Sequence, residues 1–193
     1  MEPETNLVEL DKLIRLFYPI VTDLGEFQTV SADQIPEPQR SLLSHNFHMT
    51  VTLEKFHSSP VRVAVLQETE QNDAYSREIC LHRTSDDSLV QYGIVRLNFK
   101  HLSEAVQQEI RNHSKPLGRI LIEYDVHRRV QLLSLYEIKP ANKLAEMQTR
   151  LAANGSDSAV SVDNDPELKL YGRTAVIYCN DEPAIELLEI VTL

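Results

Sequence analysis

Two charged side chains stand in rows that strand periodicity reserves for apolar ones. Arg77 shares parity with Ile79 and Leu81, and Glu189 falls in the row Ile185, Leu187, Glu189, Val191, Leu193. Residues two apart in a strand point to one face, so both charges are directed inward. An unpaired charge there costs on the order of several kcal/mol or is neutralised. Two arrangements remove the penalty. Arg77 and Glu189 form a structural ion pair with each other, or both line a cavity and face a ligand, as inward ionisable groups often do at functional sites. A guanidinium can grip a carboxylate with its planar fork, and a glutamate can donate a proton or a hydrogen bond.

The other chemistry-bearing residues give less. Arg96 and Arg173 also fall within strands and are expected to be solvated or at an edge, because arginine buries its stem while its head reaches water. His45 and His48 have helical spacing but lack a third ligand, so no metal site is expected. Cys80 and Cys179, the only cysteines, lack CxxC spacing and indicate a reducing compartment rather than a disulfide framework. The sequence contains no GxGxxG, P-loop, HExxH or GxSxG motif, which leaves nucleotide cofactors and the common hydrolase constellations unsupported.

The 193 residues carry 19 Lys and Arg against 29 Asp and Glu, a net charge of −10. Such a chain has no general attraction to phosphate backbones or anionic lipid, so nucleic-acid and membrane partners are not expected. An anionic ligand would need clustered arginines to overcome that field. The acidic N-terminus Met1-Glu2-Pro3-Glu4 does not resemble a signal peptide, and no run approaches the roughly 18 apolar residues of a membrane span. These features point to a cytoplasmic protein of one domain, residues 1–193. The oligomeric state is left open, leaning to a monomer.

The elements that must position these residues can be read from periodicity. An amphipathic helix is predicted over Asn6 to Tyr18, stopped by Pro19, then a short helix through Leu43 and a third from His48 to His57. Strands follow at Val61 to Val65, Arg77 to Arg83 and Leu89 to Phe99, the last two joined by the turn residues 84–88. Ser103 caps a helix over Glu104 to Asn112, and Pro116 opens another at Leu117 to Leu121. A strand from Arg129 to Ile138, a helix from Lys143 to Ala153 and a mobile surface loop at 154–166 come next. Leu170 to Cys179 and Ala184 to Leu193 complete the chain as a hairpin, its last strand apolar on both faces and therefore central. The class is α+β: a single antiparallel sheet of about six strands with flanking helices.

At these same positions the sequence resembles the bacterial chorismate pyruvate-lyases. Tyr75-Ser76-Arg77-Glu78-Ile79 is similar to their "LRE plus apolar" strand and Lys115-Pro116-Leu117-Gly118-Arg119 to their "TPLGR" segment. His48-Met49-Thr50 with Leu53-Glu54 resembles "MT…E", Tyr171-Gly172-Arg173 resembles "WGRR", and Glu186 to Ile190 aligns with a terminal "LLLTEL" strand that brings its glutamate onto Glu189. The matches run in order from about residue 40 to the C-terminus. Gly93-Ile94-Val95-Arg96 departs from the family's "GRTV" strand and 154–166 is an insertion, which suggests a divergent branch.

The resemblance implies an enclosed, cofactor-free site beneath two helical flaps, and a carbon–oxygen lyase that converts chorismate to 4-hydroxybenzoate and pyruvate for quinone or phenolic-compound biosynthesis. Met49 and Leu117 would be flap positions against the ligand, with Arg77 and Glu189 at its two ends as the catalytic pair. Aromatisation drives such a reaction, so the protein has mainly to hold the ether in a reactive conformation and manage one proton. Arg77 would hold a carboxylate while Glu189 donates toward the breaking ether. The alternative is a non-catalytic small-molecule-sensing domain of the same fold, which binds its ligand without reacting it.

Overall fold

The computed structural model describes residues 10–71, 74–145 and 168–193. Its frame is one antiparallel sheet of seven strands: β1 (Gly25–Val30), β2 (Val61–Gln71), β3 (Ala74–Arg83), β4 (Leu89–Asn98), β5 (Arg128–Pro140), β6 (Leu170–Cys179) and β7 (Glu182–Val191), in the order β1-β5-β6-β7-β4-β3-β2. The α+β class and single antiparallel sheet match the sequence reading, with one strand more than expected. That strand is β1, a half-exposed edge strand that pairs with β5 from Gly25↔Pro140 to Val30↔Leu135. Its exposure pattern follows no clear alternation, so periodicity gives it no signal.

β7 lies at the middle of the sheet, fourth of seven, as its two apolar faces require. It is joined to β6 by Asn180 and Asp181, both at positive φ (52° and 68°), the geometry of a two-residue hairpin turn whose twist matches the strands. Asn and Asp tolerate that conformation best after glycine.

Helices cover both faces. The front carries α2 (Gln39–Leu43), α3 (Met49–His57), α4 (Glu104–Arg111) and α5 (Leu117–Glu123). Ser103 caps α4 by accepting from the Val106 N–H, as its position before Glu104 predicts. Leu42, Leu43, Met49 and Leu53 pack with Ile79, Leu81 and Val191, while Val106, Ile110, Leu117, Ile120 and Leu121 pack with Val95, Ala175, Ile177 and Leu187. On the back, α1 (Leu10–Ile14) places Leu13 and Ile14 against Tyr92, Ile94, Leu188 and Ile190. Residues 142–145 are helical. Residues 6–9 of the first predicted helix, the 146–153 part of the predicted 143–153 helix and the loop at 154–166 lie outside the described residues.

Candidate functional site

Strand register decides which charges meet. Across the front face one row runs Leu135, Arg173, Glu189, Gly93, Ile79, and the next runs Ala175, Leu187, Val95, Arg77. Glu189 therefore lies directly beside Arg173, whereas Arg77 stands in another row with β4 between. The Arg173 Nε donates to Glu189 Oε2 at 2.7 Å. Both are almost fully buried, Arg173 at 1% exposure and Glu189 at 6%. The Arg77–Glu189 ion pair is not formed.

Arg173 also corrects the expectation of a solvated or edge arginine. It sits between β5 and β7 beneath α2, and its remaining donors hold the loop into α3. Nη1 donates to the carbonyls of Leu43 (3.3 Å) and His45 (2.8 Å), and Nη2 to that of Phe47 (3.1 Å). Three nitrogens thus make four hydrogen bonds, to one carboxylate and three carbonyls, the complement that makes a buried guanidinium tolerable. Arg96 forms a half-exposed bridge with Glu186 and belongs to the surface.

Arg77 is the opposite case. It is wholly buried; Nη1 reaches the Ile110 carbonyl at 3.3 Å, and among the described residues Nε and Nη2 have no partner. Glu68 lies opposite it in the register but accepts instead from the Tyr75 hydroxyl at 2.6 Å and sits 2.9 Å from His113. Burial lowers the Arg77 guanidinium from its ordinary value, with Tyr75 and Glu68 offsetting part of the shift.

Between the sheet and the flaps α3 and α5 lies a cavity of about 40 Å³ lined by Met49, Leu117, Ile79, Val95, Arg173 and Glu189, with Gln91 in its wall. The structure thus brings Met49, Leu117 and Glu189 to one space. Arg77 is just beyond it, two residues from Ile79 and opposite Val95. Gln91 is buried and, among the described residues, its Oε1 has no partner. The flaps meet tightly: a Cβ on Gly118 would come 2.8 Å from Thr50 Oγ1, so only glycine allows this approach, and Arg119 of α5 pairs with Glu54 of α3. Among the described residues no group of three His, Cys, Asp or Glu could hold a metal ion.

Sequence reasoning missed Arg173, Gln91 and His48 as site residues. A signal for Arg173 was present, since it shares the parity of Tyr171, Ala175 and Ile177 in a strand with no polar face. The back face carries a further polar cluster that periodicity did not single out. Glu78 is fully buried there and accepts from Tyr18 (2.5 Å), Tyr92 (2.8 Å), Gln67 (2.8 Å) and Lys143 (3.2 Å), joining the segment that follows α1 and residues 142–145 to the sheet.

No family model matches this chain, and no curated protein matches it in sequence. Among solved structures it is similar to PhnF from Mycobacterium smegmatis, with a TM-score of 0.52 and 12% identity over 76% of this chain and 64% of that one. The effector domain of the same protein gives 0.49 and 12% over 75% and 88%. The C-terminal domain of the histidine utilization repressor from Pseudomonas syringae pv. tomato gives 0.41 and 7% over 68% and 91%. The chain spans less than two thirds of the length of the first of these. At such identity the likeness concerns the fold, and no helix among the described residues is long and apolar enough to cross a membrane. The chain has an α+β, chorismate lyase-like fold, a single antiparallel seven-stranded sheet with flanking helices, which it shares with PhnF.

Proposed function

We propose that this chain is a small-molecule-sensing domain that binds a carboxylate-bearing ligand between the flaps and the sheet without reacting it. The observation that carries this reading is how three buried charges pair. Arg173 and Glu189 satisfy one another, which leaves Arg77 alone with two unpartnered donors next to the cavity. A ligand carboxylate supplies what those donors lack. A general acid must present a transferable proton to the reacting oxygen. Glu189 is already engaged by a guanidinium that also holds the loop into α3, so it serves the architecture of the site.

The cavity volume fits a sensor. About 40 Å³ is far below the roughly 300–1,000 Å³ of ordinary ligand sites. A ligand is admitted only as α3 or α5 moves, so occupancy and flap position are coupled. One observation favours the lyase as a second reading: Met49, Leu117 and Glu189 line a single cavity, as the resemblance to chorismate pyruvate-lyases implies.

Incubating the full chain with chorismate, and separately with 4-hydroxybenzoate and benzoate, separates the two. A sensing domain shows saturable thermal stabilisation by at least one of these carboxylates and no pyruvate above the spontaneous rate. Catalysed pyruvate release establishes the lyase instead. Stabilisation that persists undiminished in Arg77→Met overturns the assignment of Arg77.

A further inference from the structure

The space large enough for a ligand lies outside the buried cavity. A groove of about 650 Å³ separates the loop 46–48 from residues 125–131. That size is within the roughly 300–1,000 Å³ range of ligand sites. Phe47, His48 and Val130 line both the groove and the inner cavity, so the two spaces adjoin there. Phe47 is 70% exposed.

Arg128 dominates the chemistry of this groove. Its register partner is Cys179, two residues from the Val130–Ile177 pair, so it shares the front face with Val130. Its Nε donates to His48 Nε2 at 2.8 Å and its Nη1 to the Val126 carbonyl at 2.8 Å. Both acceptors are neutral. Burial, with Arg128 and Arg173 nearby, holds His48 down to about 4, so at neutral pH its imidazole is uncharged and accepts. Among the described residues Arg128 forms no ion pair, and Asp125 on the same groove does not reach it. Arg129 lines the groove as well, but its guanidinium is already engaged, stacked on the Tyr178 ring at 4.1 Å and donating from Nη1 to Gln131 Oε1 at 3.2 Å.

We propose that this groove is a binding site for the oxyanion group, carboxylate or phosphate monoester, of a small organic molecule anchored by Arg128. A chain of net charge −10 repels anions at long range. An anion site therefore needs a local cation that is not already neutralised, which Arg128 supplies. An oxyanion that accepts from Nε and Nη2 together uses the planar fork and replaces His48 as acceptor of the Nε hydrogen. His48 is the N-cap residue of α3. Its release loosens the start of the flap, and the ligand passes inward at Phe47. That passage rests on the function proposed above, whereas the groove site does not.

The test is backbone-amide NMR of the full chain, titrated separately with inorganic phosphate and with benzoate at constant ionic strength. Expected are saturable shifts at residues 46–48 and 126–131, with affinity about tenfold to a hundredfold weaker in Arg128→Gln and a smaller loss in Arg129→Gln. The probe that binds more tightly identifies the oxyanion class. If Arg128→Gln fails to fold, Arg128→Lys, which keeps the charge and loses the fork, takes its place with the same expectation. No saturable shift with either probe, or equal affinity in the Arg128 variant, overturns the site. Failure of the inner cavity reads differently: shifts at Gln91 and Gly118 are absent while those of the groove remain.

Discussion

Replacing Arg77 by Met should make the ligand-free protein more stable. Arg77 is wholly buried, and two of its three nitrogens have no partner among the described residues. An uncompensated buried charge costs on the order of several kcal/mol, and filling such a position with an apolar side chain is often neutral or stabilising by about 1–4 kcal/mol. The substitution gives up one hydrogen bond, from Nη1 to the Ile110 carbonyl at 3.3 Å. That bond is worth roughly 1–3 kcal/mol. The carbonyl is not orphaned, because it also accepts from the His113 N–H. The balance is a gain of about 1–2 kcal/mol, or roughly 2–8 °C in Tm at about 2–4 °C per kcal/mol for a chain of this size. Urea denaturation followed by circular dichroism reads it directly. With a bound carboxylate the order should reverse, because only the parent chain gains linkage stabilisation, about 2.7 kcal/mol at a hundredfold excess over Kd. A ligand-free Arg77→Met that is less stable by 1 kcal/mol or more refutes the reasoning, since it would mean that the fold itself satisfies the guanidinium.

Arg173 should behave in the opposite way. Arg173→Met leaves Glu189 buried and unpaired and should cost roughly 3–5 kcal/mol, read as a lower urea midpoint. Adding Glu189→Leu should recover the ion-pair share of that loss but not the hold on the loop through residues 43, 45 and 47. A single-variant loss below about 1 kcal/mol would show the pair to be dispensable. His48 should make stability depend on acid. Its folded value of about 4 lies below the ordinary 6.5. The unfolded chain therefore binds the proton first, and stability is fully present above pH 6.5 and is lost as pH falls through 4. The loss should reach at most about 3 kcal/mol. It should appear as the difference between the parent and His48→Asn curves, and parallel curves would rule it out.

The sequence carried much of this arrangement because the front-face strands have a strong apolar rhythm that two charges interrupt. Arg77 and Glu189 were found by that interruption, and both are buried as it requires. Met49 and Leu117 came from the family resemblance, since an apolar residue on an amphipathic helix carries no mark of the cavity it covers. β1 was illegible for another reason. An edge strand with one neighbour and a mostly solvated surface needs no alternation, and only the register of β5 fixes its place. The back-face Glu78 was hidden because one carboxylate next to Arg77 reads as the polar face of a half-buried strand. Only the packing of α1 and residues 142–145 over that face shows it to be enclosed.

The pairing of Glu189 with Arg173 turns on a single residue of register. Counted back from the two-residue turn at Asn180 and Asp181, Cys179 lies opposite Glu182 and Tyr178 opposite Pro183. Continued without interruption, that count places Arg173 opposite Leu188. Glu189 would then fall out of register with it. A bulge between Ile177 and Tyr178 advances β7 by one residue, so that Ile177 meets Ile185 and Arg173 meets Glu189. Pro183 is the trace of this device in the sequence. A proline has no N–H for the ladder, so one lying inside a strand that must be central is admissible only at the strand's first positions or at a bulge. Here it sits at both. The bulge thus does two things at once. It accommodates the proline, and it turns the last strand so that its one inward carboxylate meets Arg173.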